Sequence, residues 1–371
     1  MFDLESVMGL PTVSIIIPCR NEARFIGSCL DSILNNGFPL ERLGVLVVDG
    51  MSTDGTREIV QTYASRHSLI RLLDNPHRVT PYAVNIGIRE ANGDAIMRLD
   101  AHSVCDRDYI GSCIRVLYDY GADDVGGTLR ITARDNTLIG RAIVKALTQR
   151  FGVGNLHYRF SQPKEPQLVD TVAFFCCRRE LFQKIGTFNE KLTRIQDMEF
   201  KRRLVLAGGR IMLAPGAFAD YQARSDLKSF WRHNWSDGVW TVLAFAFAEV
   251  MPVRWRHLVP LCFVGVLIVS GLLAFASPFF GWVLLATLCV YGLPALALSI
   301  SIAVTEGDFR YAFVVPVIIL SMHLMRGLGS IWGAMRLLVQ GRLGHAIRLV
   351  SREARRTETK PLVATVAARN D

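Results

Sequence analysis

The segment AIMRLDAH, residues 95–102, decides the fold class that this sequence predicts. A short, mostly apolar run leads into Asp100, and His102 follows two positions later. Alternate residues of an extended chain point to the same side, so Asp100 and His102 can face one ion together. Open α/β sheets bind their ligands at the ends of such strands. The segment therefore predicts a buried strand that places an acidic residue, with a candidate metal ligand beside it, at one edge of a sheet.

The sequence upstream of this segment alternates between strand-like and helix-like stretches. Apolar runs at 13–18, 45–49 and 70–73 have strand length, and a helical pattern follows each of them. This alternation predicts a parallel sheet with crossover helices. A Gly/Ser/Asp turn after Asp49 is expected to cap the next helix. The helices are expected at 23–34, 56–65 and 81–92.

The pattern from residue 105 to residue 216 is mixed α/β. Strands are expected at 125–128 and 172–176, and helices at 178–185 and 196–206. The first part of the chain is therefore predicted to be an α/β domain in which two buried strands end in acidic residues. That layout suits nucleotide binding, although many α/β sheets share it.

The charge of the chain points to a membrane surface. The 371 residues carry a formal net charge of +9, and 50% of them are hydrophobic. No nucleic-acid partner is expected, because no basic motif with interleaved aromatic residues appears. Basic residues instead flank the apolar C-terminal runs, which favours contact with membrane lipids on the cytoplasmic side. They are Arg232, Arg254, Arg256, Arg336, Arg342, Arg348, Arg352, Arg355 and Arg356.

The cysteines and the first residues bear on the compartment. The 8 cysteines show no C-x-x-C and no metal-finger spacing, which fits a reducing cytoplasm. The adjacent pair Cys176 and Cys177 is expected to be part of a packed strand and not a redox couple. Residues 1–12 lack a basic segment followed by an apolar core, so they are not expected to be a signal peptide.

Two long apolar runs predict a membrane hairpin. Residues 258–277 and 279–304 contain no charged side chain, and each run can cross a hydrocarbon layer of roughly 30 Å. The aromatic, amphipathic segment 227–250 precedes them. Because Trp is enriched at membrane interfaces, we expect this segment to lie in the interface, with an ordinary core helix as the alternative.

A third apolar run, 311–339, is interrupted by His323, Arg326 and Arg336. Charge near the bilayer centre is costly, so this run is expected to cross only in part, to pack against the other helices or to bend back. Two crossings with a re-entrant or interfacial third run would keep the Arg-rich tail in the cytoplasm. The predicted divisions are a catalytic domain at 1–226, an interface helix at 227–257, a membrane region at 258–339 and a basic cytoplasmic tail at 340–371.

Four motifs, taken in order, resemble family 2 inverting glycosyltransferases of the GT-A fold. They are VSIIIPCRNE at 13–22, VVDGMSTDGT at 47–56, LDAH at 99–102 and QDME at 196–199. Segments 75–89, 100–103 and 151–159 are closer to the succinoglycan-biosynthesis, ExoA-like branch. The resemblance implies an α/β, GT-A (Rossmann-like) nucleotide-sugar-binding domain, followed by a C-terminal membrane helix hairpin and a third hydrophobic segment.

The resemblance also implies a divalent metal, Mg²⁺ or Mn²⁺, which stabilises the diphosphate leaving group of the donor. Asp100 is expected to be the main ligand, because carboxylate oxygen suits these hard ions. His102 stands where the family pattern has a second Asp. We expect His102 to bind the metal directly or through water, or to contact phosphate; the alternative is a capping or turn residue.

The donor side is assigned to the ends of the first strands. Asp49 resembles the family's uracil- or ribose-binding acid, and an N-cap of the next helix is its alternative role. Arg20 stands where an aromatic residue is frequent and is expected to stack on the base or pair with phosphate. Arg78 and Asn85 are expected to reach the donor, with a solvated helix face as an equal alternative. The predicted donor-binding residues are Pro18, Arg20, Glu22, Asp49, Arg78, Asn85 and Asp100.

Asp197 is the candidate catalytic base. Inverting transfer is a single in-line displacement, so one carboxylate must take the proton of the acceptor hydroxyl. The alternative is an ordinary first helical turn, in which acidic residues are favourable. Glu199 is expected to orient a neighbour or the acceptor. The predicted acceptor side, where glycine permits close backbone approach, comprises Gly126, Gly127, Asn155, Gln196 and Glu199.

These features predict a membrane-anchored, metal-dependent inverting glycosyltransferase. It is expected to move a hexose, with glucose the first candidate, from a UDP-sugar to a lipid-linked saccharide in exopolysaccharide biosynthesis. The expected location is the cytoplasmic (inner) membrane, with the catalytic domain on the cytoplasmic side. Met251 replaces the Gln or Arg of a processive Q/R-x-x-R-W motif, which favours addition of a single sugar. Two alternatives stay open, a polyprenyl-phosphate glycosyltransferase and a catalytically silent nucleotide-binding membrane scaffold.

Overall fold

The computed structural model describes residues 9–154 and 156–359, and its first part is the predicted parallel unit. Strand β1 pairs in parallel with β2 and with β4, and β2 pairs in parallel with β3. The alternation of apolar runs and helical patterns is thus confirmed. The elements are β1 (Val13–Cys19), α1 (Ile26–Leu34), β2 (Leu43–Asp49), α2 (Thr56–Arg66), β3 (Ile70–Asp74), α3 (Thr80–Glu90) and β4 (Ala95–Arg98).

The second part of the domain completes a mixed sheet. Within the described residues the strands form one nine-stranded sheet in the order β3-β2-β1-β4-β8-β6-β9-β5, with β7 beside β9. Strand β8 runs antiparallel to β4, and β9 runs parallel to β6. The added elements are β5 (Ser103–Cys105), α4 (Tyr109–Asp119), β6 (Asp124–Ala133), α5 (Leu138–Leu147), α6 (Arg150–Val153), β7 (Gln167–Leu168), β8 (Phe175–Arg178), α7 (Leu181–Ile185), α8 (Gln196–Leu206) and β9 (Ile211–Ala223).

The strand expected at 172–176 begins only at Phe175. The ammonium of Lys201, on α8, donates to the carbonyl oxygens of Val172 and Phe174, so this backbone is held by a helix and not by a neighbouring strand. Phe174 also adopts a φ of 57°, which is incompatible with an extended strand. The expected strand 172–176 is therefore wrong in its first half, because a tertiary contact overrides the local pattern.

Helices cover both faces of the sheet. Side chains of α1, α2 and α4 pack with Ile15, Ile17 and Val45 on one face. Side chains of α3, α7 and α8 pack with Ile16 and Leu46 on the other. Both faces of the parallel strands are thus buried, as their continuous apolar runs require, and the carboxyl ends of the strands meet at one open edge.

The C-terminal part of the chain is helical. In the described part, three helices are long and apolar enough to cross a membrane, at Trp255–Leu273, Pro278–Glu306 and Tyr311–Val339. The amphipathic helix expected to extend to residue 250 ends at Leu243, where a 3₁₀ turn follows. The helices are α9 (Leu227–Leu243), α10 (Val259–Leu273), α11 (Pro278–Glu306), α12 (Tyr311–Val339) and α13 (Leu343–Thr359).

The third apolar run does not bend back. Helix α12 is continuous over 29 residues, so the re-entrant form of this segment is wrong. The polar groups that suggested a break have partners: Arg326 Nε donates to Asn234 Oδ1 of α9 over 2.9 Å, and His323 Nδ1 lies 2.8 Å from the Tyr291 hydroxyl of α11. Packing against neighbouring helices removes the reason for a break, which confirms the packing alternative.

Helix α12 contacts the α/β domain and helix α9. Near its start, Tyr311 accepts a hydrogen bond from Arg141 of α5. Near its middle, His323 Nε2 lies 3.2 Å from the carbonyl oxygen of Gly152. Further on, Ser330 donates to the carbonyl oxygen of Gly238 on α9. The apolar helices are therefore joined to the α/β domain through α12 and not through a short linker alone.

The α9–α12 contact depends on glycine. A Cβ atom on Gly238 would lie 2.1 Å from the carbonyl oxygen of Arg326, so the two backbones touch. Small residues permit such close approach between helices. We expect Gly238→Ala to lower the free energy of unfolding by about 1–3 kcal/mol, because the helices must move apart. The apparent Tm of the detergent-solubilised full chain measures this loss.

Gly265→Ala on α10 is the matched control. A Cβ atom on Gly265 would meet nothing within 4 Å. Alanine is favoured over glycine inside helices by about 1 kcal/mol, so this variant should melt at or above the wild-type temperature. Equal Tm values for the two variants would contradict the proposed packing of α9 on α12.

Candidate active site

The candidate site lies where strands β1 to β4 end. In the sheet register, Asp49 of β2 is opposite Cys19 of β1 and Asp74 of β3. Asp100 follows β4 at the same edge, one residue beyond Leu99. Carboxyl ends of parallel strands are the usual ligand-binding edge of an open α/β sheet. The edge therefore collects three carboxylates from three strands.

Arg98 joins the two main predicted site residues. Its side chain is buried and donates from Nη2 to Asp100 Oδ1 over 2.9 Å and from Nη1 to Asp197 Oδ1 over 2.7 Å. One guanidinium thus bridges the candidate metal ligand and the candidate base, which are far apart in sequence. Sequence reasoning assigned no role to Arg98, although an arginine inside a buried strand is a signal, because a buried charge must be paired.

The same bridge controls the charge of Asp100. Burial raises the pKa of Asp100, but the Arg98 guanidinium and His102 outweigh burial and hold that pKa below its ordinary value. Burial alone would lower the pKa of Arg98. The neighbouring carboxylates of Asp197 and Asp100 outweigh burial and hold that pKa above its ordinary value. Arg98 is therefore a permanent cation, and Asp100 is an anion that is available to a metal or a donor at neutral pH.

Asp197 projects from the first turn of α8. Its side chain is 42% exposed, whereas that of its partner Arg98 is 9% exposed. The carboxylate is therefore accessible from solvent while a buried guanidinium fixes its position. Ile195, which precedes α8, has a φ of 66°. A β-branched residue in the left-handed region is strained, and such strain is commonly retained where it positions functional groups.

Several residues around this edge of the sheet have backbone φ angles in the left-handed region. In the described ranges, non-glycine residues with positive φ follow β1, β2 and β3 and precede β8 and α8. These conformations cost free energy and concentrate at functional sites. The residues are Asn21, Met51, Arg78, Phe174 and Ile195.

His102 occupies a tight turn and not an extended strand. The backbone N–H of Ser103 donates to the carbonyl oxygen of Asp100, which closes the turn. The extended geometry expected for Asp100 and His102 is thus wrong, yet the turn still brings them within electrostatic range. His102 Nδ1 lies 3.3 Å from Glu22 Oε1, and its ring meets Tyr221 edge-on at 5.0 Å between centroids. The structure therefore brings together Glu22, Asp100 and His102.

The ligand chemistry of this group fits a divalent ion only in combination with a substrate. Among the residues that the structure describes, no three His, Cys, Asp or Glu side chains form a ready metal cage. Mg²⁺ in phosphate-transfer sites is usually held by one or two carboxylates together with substrate phosphates and water. Asp100, with His102 as an imidazole that Mn²⁺ tolerates, matches that kind of incomplete set.

Asp49 is fully buried, and its carboxylate oxygens already accept hydrogen bonds from neighbouring residues. Its oxygens accept hydrogen bonds from the Ser52 backbone N–H at 2.9 Å, from the Ser52 hydroxyl and from Arg57 Nη1 at 2.8 Å. Burial raises the pKa of Asp49, but the bonds to Ser52 and Arg57 outweigh it and lower that pKa overall. A base N–H would have to displace one of these donors. Arg57, which also contacts Asp74 at 2.8 Å, was not identified from the sequence.

We expect Arg57→Met to lower the free energy of unfolding by about 2–3 kcal/mol at neutral pH, because it leaves a buried carboxylate without its cation. The folded-state pKa of Asp49 is depressed. Such a group contributes stability above its unfolded pKa, about 3.9, and loses that contribution as pH falls through the folded-state value. The difference between variant and wild type should therefore shrink towards acid pH in apparent Tm measurements.

Arg71→Met provides the control for this change. Arg71 pairs with Glu90, but both side chains are about half exposed, at 49% and 47%. Exposed pairs contribute about 0–1 kcal/mol. A Tm loss in Arg71→Met as large as that in Arg57→Met, or one in Arg57→Met that does not depend on pH, would show that the Asp49 contact is not the cause.

Pro18, Arg20 and Arg78 lie at or just after the ends of β1 and β3, and both arginines are exposed. Arg20 lies over Gly50, where an added Cβ would be 3.2 Å from Arg20 Cβ. Glycine at position 50 thus leaves room for the Arg20 side chain. Both arginines are free to approach an anionic donor from solvent.

Asn85 does not face the donor. It is 2% exposed, its Nδ2 donates to the Phe188 carbonyl oxygen at 2.9 Å, and its Oδ1 accepts from the Phe188 N–H at 3.0 Å. Nδ2 also donates to Glu190. Both the donor role and the solvated-face alternative are therefore wrong: Asn85 fastens helix α3 to the loop before α8.

Gly126 and Gly127 pack tightly against neighbouring backbone. An added Cβ would lie 2.5 Å from the Ala173 carbonyl oxygen at Gly126 and 2.2 Å from the Ala217 carbonyl oxygen at Gly127. These glycines permit close backbone packing at the irregularity between β6 and β9. This packing accounts for both glycines without an acceptor, and their acceptor role stays a prediction. Asn155 lies outside the described residues.

Gln196 and Glu199, in the first turn of α8, are both buried. Glu199 is 1% exposed, and Arg203 donates to both of its oxygens, at 2.9 and 3.0 Å. Burial raises the pKa of Glu199 even though Arg203 opposes this shift. Gln196 is 7% exposed. The carboxylate of Glu199 therefore contacts a neighbouring side chain, whereas the acceptor roles of Gln196 and Glu199 stay predictions.

The segment FGVG at 151–154 meets the apolar helices. The Phe151 ring lies 5.4 Å from the Tyr291 ring of α11 and 6.2 Å from the His323 ring of α12. Phe151 and Gly152 thus connect the α/β domain to the apolar helices α11 and α12.

A cavity of about 940 Å³ lies at the opposite edge of the sheet. Pro11 before β1 and Asp94 before β4 line it, together with Tyr118 of α4 and Arg178 of β8. None of the predicted site residues lines this cavity. The cavity is therefore separate from the edge at which Asp49, Asp100 and Asp197 lie.

Comparisons with known proteins agree with this geometry. Residues 14–186 match the family model described as glycosyl transferase family 2. The chain is 28% identical over 269 residues to the succinoglycan biosynthesis protein ExoA of Rhizobium meliloti (strain 1021), which covers 66% of this chain and 80% of that protein. It is also 28% identical over 235 residues to the dolichyl N-acetyl-alpha-D-glucosaminyl phosphate 3-beta-D-2,3-diacetamido-2,3-dideoxy-beta-D-glucuronosyltransferase of Methanococcus voltae, covering 61% and 71% of the two chains.

A solved structure shows the same fold. The mannosyltransferase PcManGT from Pyrobaculum calidifontis, in complex with GDP-Man and Mn²⁺, aligns with a TM-score of 0.51 at 20% identity. The alignment covers 85% of this chain and 87% of that one. The mixed, curled sheet with flanking helices is thus GT-A-like, as the sequence resemblance implied, and apolar helices follow it.

Proposed function

We propose that the segment at residues 14–186, which matches the glycosyl transferase family 2 model, transfers a hexose from a UDP-sugar to a lipid-linked saccharide. The observation that carries the proposal is the Arg98 bridge, which holds Asp100 and Asp197 at one open edge. A silent scaffold would not need a half-exposed carboxylate held in this way. Glucose is the first candidate sugar.

Asp197 acts as the base in the proposed reaction. Its carboxylate takes the proton of the acceptor hydroxyl while the acceptor oxygen bonds to the anomeric carbon of the sugar. The bond from that carbon to the diphosphate oxygen breaks on the opposite face, so the configuration inverts. Arg98 fixes the position of the Asp197 carboxylate.

The donor diphosphate lies in this proposal beside Asp100 and His102. These residues would hold Mg²⁺ or Mn²⁺, which supplies Lewis-acid stabilisation of the leaving diphosphate. Glu22 orients His102 through its Nδ1 contact. The exposed side chains of Arg20 and Arg78 add positive charge for the nucleotide phosphates.

The lipid-linked acceptor is supported by the apolar helices and by the relatives. The name of the Methanococcus voltae relative refers to a dolichyl-linked sugar phosphate, and that of ExoA refers to succinoglycan biosynthesis. UDP-sugars are cytoplasmic metabolites, so the proposed location is the inner membrane with the catalytic domain on the cytoplasmic side. Basic residues flanking the helices agree with that orientation.

Membranes containing the full chain and a panel of radiolabelled UDP-hexoses test this function. We expect one sugar to appear in lipid-extracted product on thin-layer plates, and we expect excess EDTA to abolish that product until Mn²⁺ or Mg²⁺ is restored. Full activity in EDTA would contradict the metal requirement. Binding of UDP without labelled lipid from any hexose would instead favour the silent scaffold.

A further inference from the structure

A cluster of positive side chains lies between the candidate active site and the apolar helices. At its centre is Asp237 of α9, whose Oδ1 lies 2.6 Å from Arg194 Nη1 and whose Oδ2 lies 3.3 Å from His233 Nε2. Arg326 of α12 places Nη2 3.9 Å from the same Oδ2. One carboxylate is therefore shared by three basic side chains from three separate segments.

Two more arginines extend this cluster towards the active site. Arg159 lies within electrostatic range of Arg326, and Arg224 lies within that range of His233. Arg159 Nε is buried and has no hydrogen-bond partner in the part of the chain that the structure describes. We call the set of Arg159, Arg194, Arg224, His233 and Arg326 around Asp237 the junction cluster.

The junction cluster has a surplus of positive charge. Burial, ahead of the neighbouring arginines, lowers the pKa of His233 to about 3, so the imidazole is neutral at physiological pH even though Asp237 opposes this shift. Two guanidinium groups, Arg194 and Arg326, then contact the Asp237 carboxylate, and Arg159 and Arg224 add two more positive charges nearby, so four cations and one anion make up the junction cluster. Such a surplus in a partly dehydrated place is costly unless an anion joins it.

The side chains that contact Asp237 are partly exposed to solvent. Arg194, His233 and Arg326 are 33%, 32% and 30% exposed. Arg326 Nε is anchored by Asn234, which leaves its outer N–H groups to a ligand. A guanidinium fixed at one edge is suited to bidentate binding of phosphate oxygens.

The junction cluster extends from the candidate active site at one end to the apolar helix α12 at the other. Tyr221 lies within electrostatic range of Arg159, Arg224 and Asp100, and its ring meets His102 at 5.0 Å. Arg326, at the other end, belongs to an apolar helix that is long enough to cross a membrane. A lipid anchored beside α12 could therefore place its headgroup in the cluster while its sugar reaches Asp197.

We propose that the junction cluster binds the diphosphate that links the acceptor saccharide to its lipid. This inference rests on the proposed function and adds the chemical class of the linker. A diphosphate diester carries two negative charges and can use several guanidinium groups at once. The cluster thus recognises the acceptor at the boundary between the catalytic domain and the membrane helices.

Farnesyl diphosphate is the probe for this inference. Binding is measured on the detergent-solubilised full chain without donor, for the wild type, Arg326→Gln and Arg194→Gln. We expect each variant to bind the probe at least tenfold more weakly while UDP binding and apparent Tm stay near wild type. Arg336→Gln is the matched control, because Arg336 lies exposed on the same helix and should bind the probe normally.

Farnesyl phosphate and farnesol complete the test. We expect the monophosphate to bind more weakly than the diphosphate, and farnesol not to depend on the arginines. Wild-type probe affinity in both Arg326→Gln and Arg194→Gln, or preference for the monophosphate, would overturn the inference. Because no donor is present, this outcome is separate from a failure of sugar transfer, which would count against the proposed function alone.

Discussion

Replacing Asp197 with asparagine is expected to lower kcat by about 10²- to 10⁴-fold, the range typical for loss of a positioned catalytic base. The amide cannot accept the proton of the acceptor hydroxyl, yet it keeps the size of the side chain. Its carbonyl oxygen can still accept the hydrogen bond that Arg98 donates over 2.7 Å in the wild type. We therefore expect UDP binding and apparent Tm to change little.

Initial rates at saturating UDP-sugar measure this effect. Asp119→Asn is the matched control, because Asp119 is an exposed acid at the end of α4, away from the site. Its kcat should equal that of the wild type. A folded Asp197→Asn protein with kcat near the wild-type value would show that Asp197 does not transfer the proton. Asp197 would then be an ordinary acidic residue in the first turn of a helix.

Replacing Arg98 with glutamine is expected to lower kcat/KM by about 10²- to 10³-fold, comparable to the loss of one preorganised electrostatic group. It releases both carboxylates that the guanidinium holds, at 2.9 and 2.7 Å. Arg98→Lys keeps the charge but cannot bridge two carboxylates with a planar fork. We expect its kcat/KM to fall between those of the wild type and Arg98→Gln.

The pH profile separates this positioning role from simple unfolding. In the wild type, Arg98 holds the pKa of Asp100 below its ordinary value against burial, so Asp100 stays ionised at mildly acid pH. Without Arg98, burial raises that pKa, and the acid limb of kcat/KM should move to higher pH. Arg98→Lys should show a smaller shift of that limb.

Arg130→Gln is the control for the bridge. Arg130 also contacts two carboxylates, Asp106 and Asp220, but it is 42% exposed. Its loss should leave the acid limb in place, because exposed pairs are screened by water. An unshifted acid limb in Arg98→Gln, with activity lowered only in proportion to unfolded protein, would show that Arg98 has a structural role alone.

The parts of the fold that were predictable are those fixed by local pattern. Strands β1 to β4 are continuous apolar runs between helical patterns, and each was found within a few residues of its expected position. Asp100 and Asp197 were identifiable because each follows or begins an element that local periodicity defines. Long apolar helices are similarly explicit in sequence.

Asn85 was wrongly assigned because its partner comes from a distant segment: its side chain bonds to Phe188. The burial of Glu199 against Arg203, one turn further along the same helix, was not evident from the sequence either. Nor was the packing of Gly126 against the Ala173 backbone. A polar residue or glycine beside a motif looks the same in sequence whether it faces a ligand or fastens a loop, so only the tertiary contacts decide.

The contacts of Arg98 and the packing of α12 were likewise not predictable from local sequence. Arg98 carries no motif of its own, and its role follows from the meeting of β4 with α8 in space. The third apolar run looked interrupted because its partners on α9 and α11 were unknown. Sequence predicted the elements, whereas the pairings between them required the structure.

The anomeric configuration of the transferred sugar tests the account most directly. A single displacement assisted by one carboxylate, Asp197, requires inversion at the anomeric carbon. The measurement is proton NMR of the glycolipid formed by the wild-type chain from an α-linked UDP-hexose. We expect a β-linked product. An α-linked product would require a second displacement and would contradict the proposed role of Asp197.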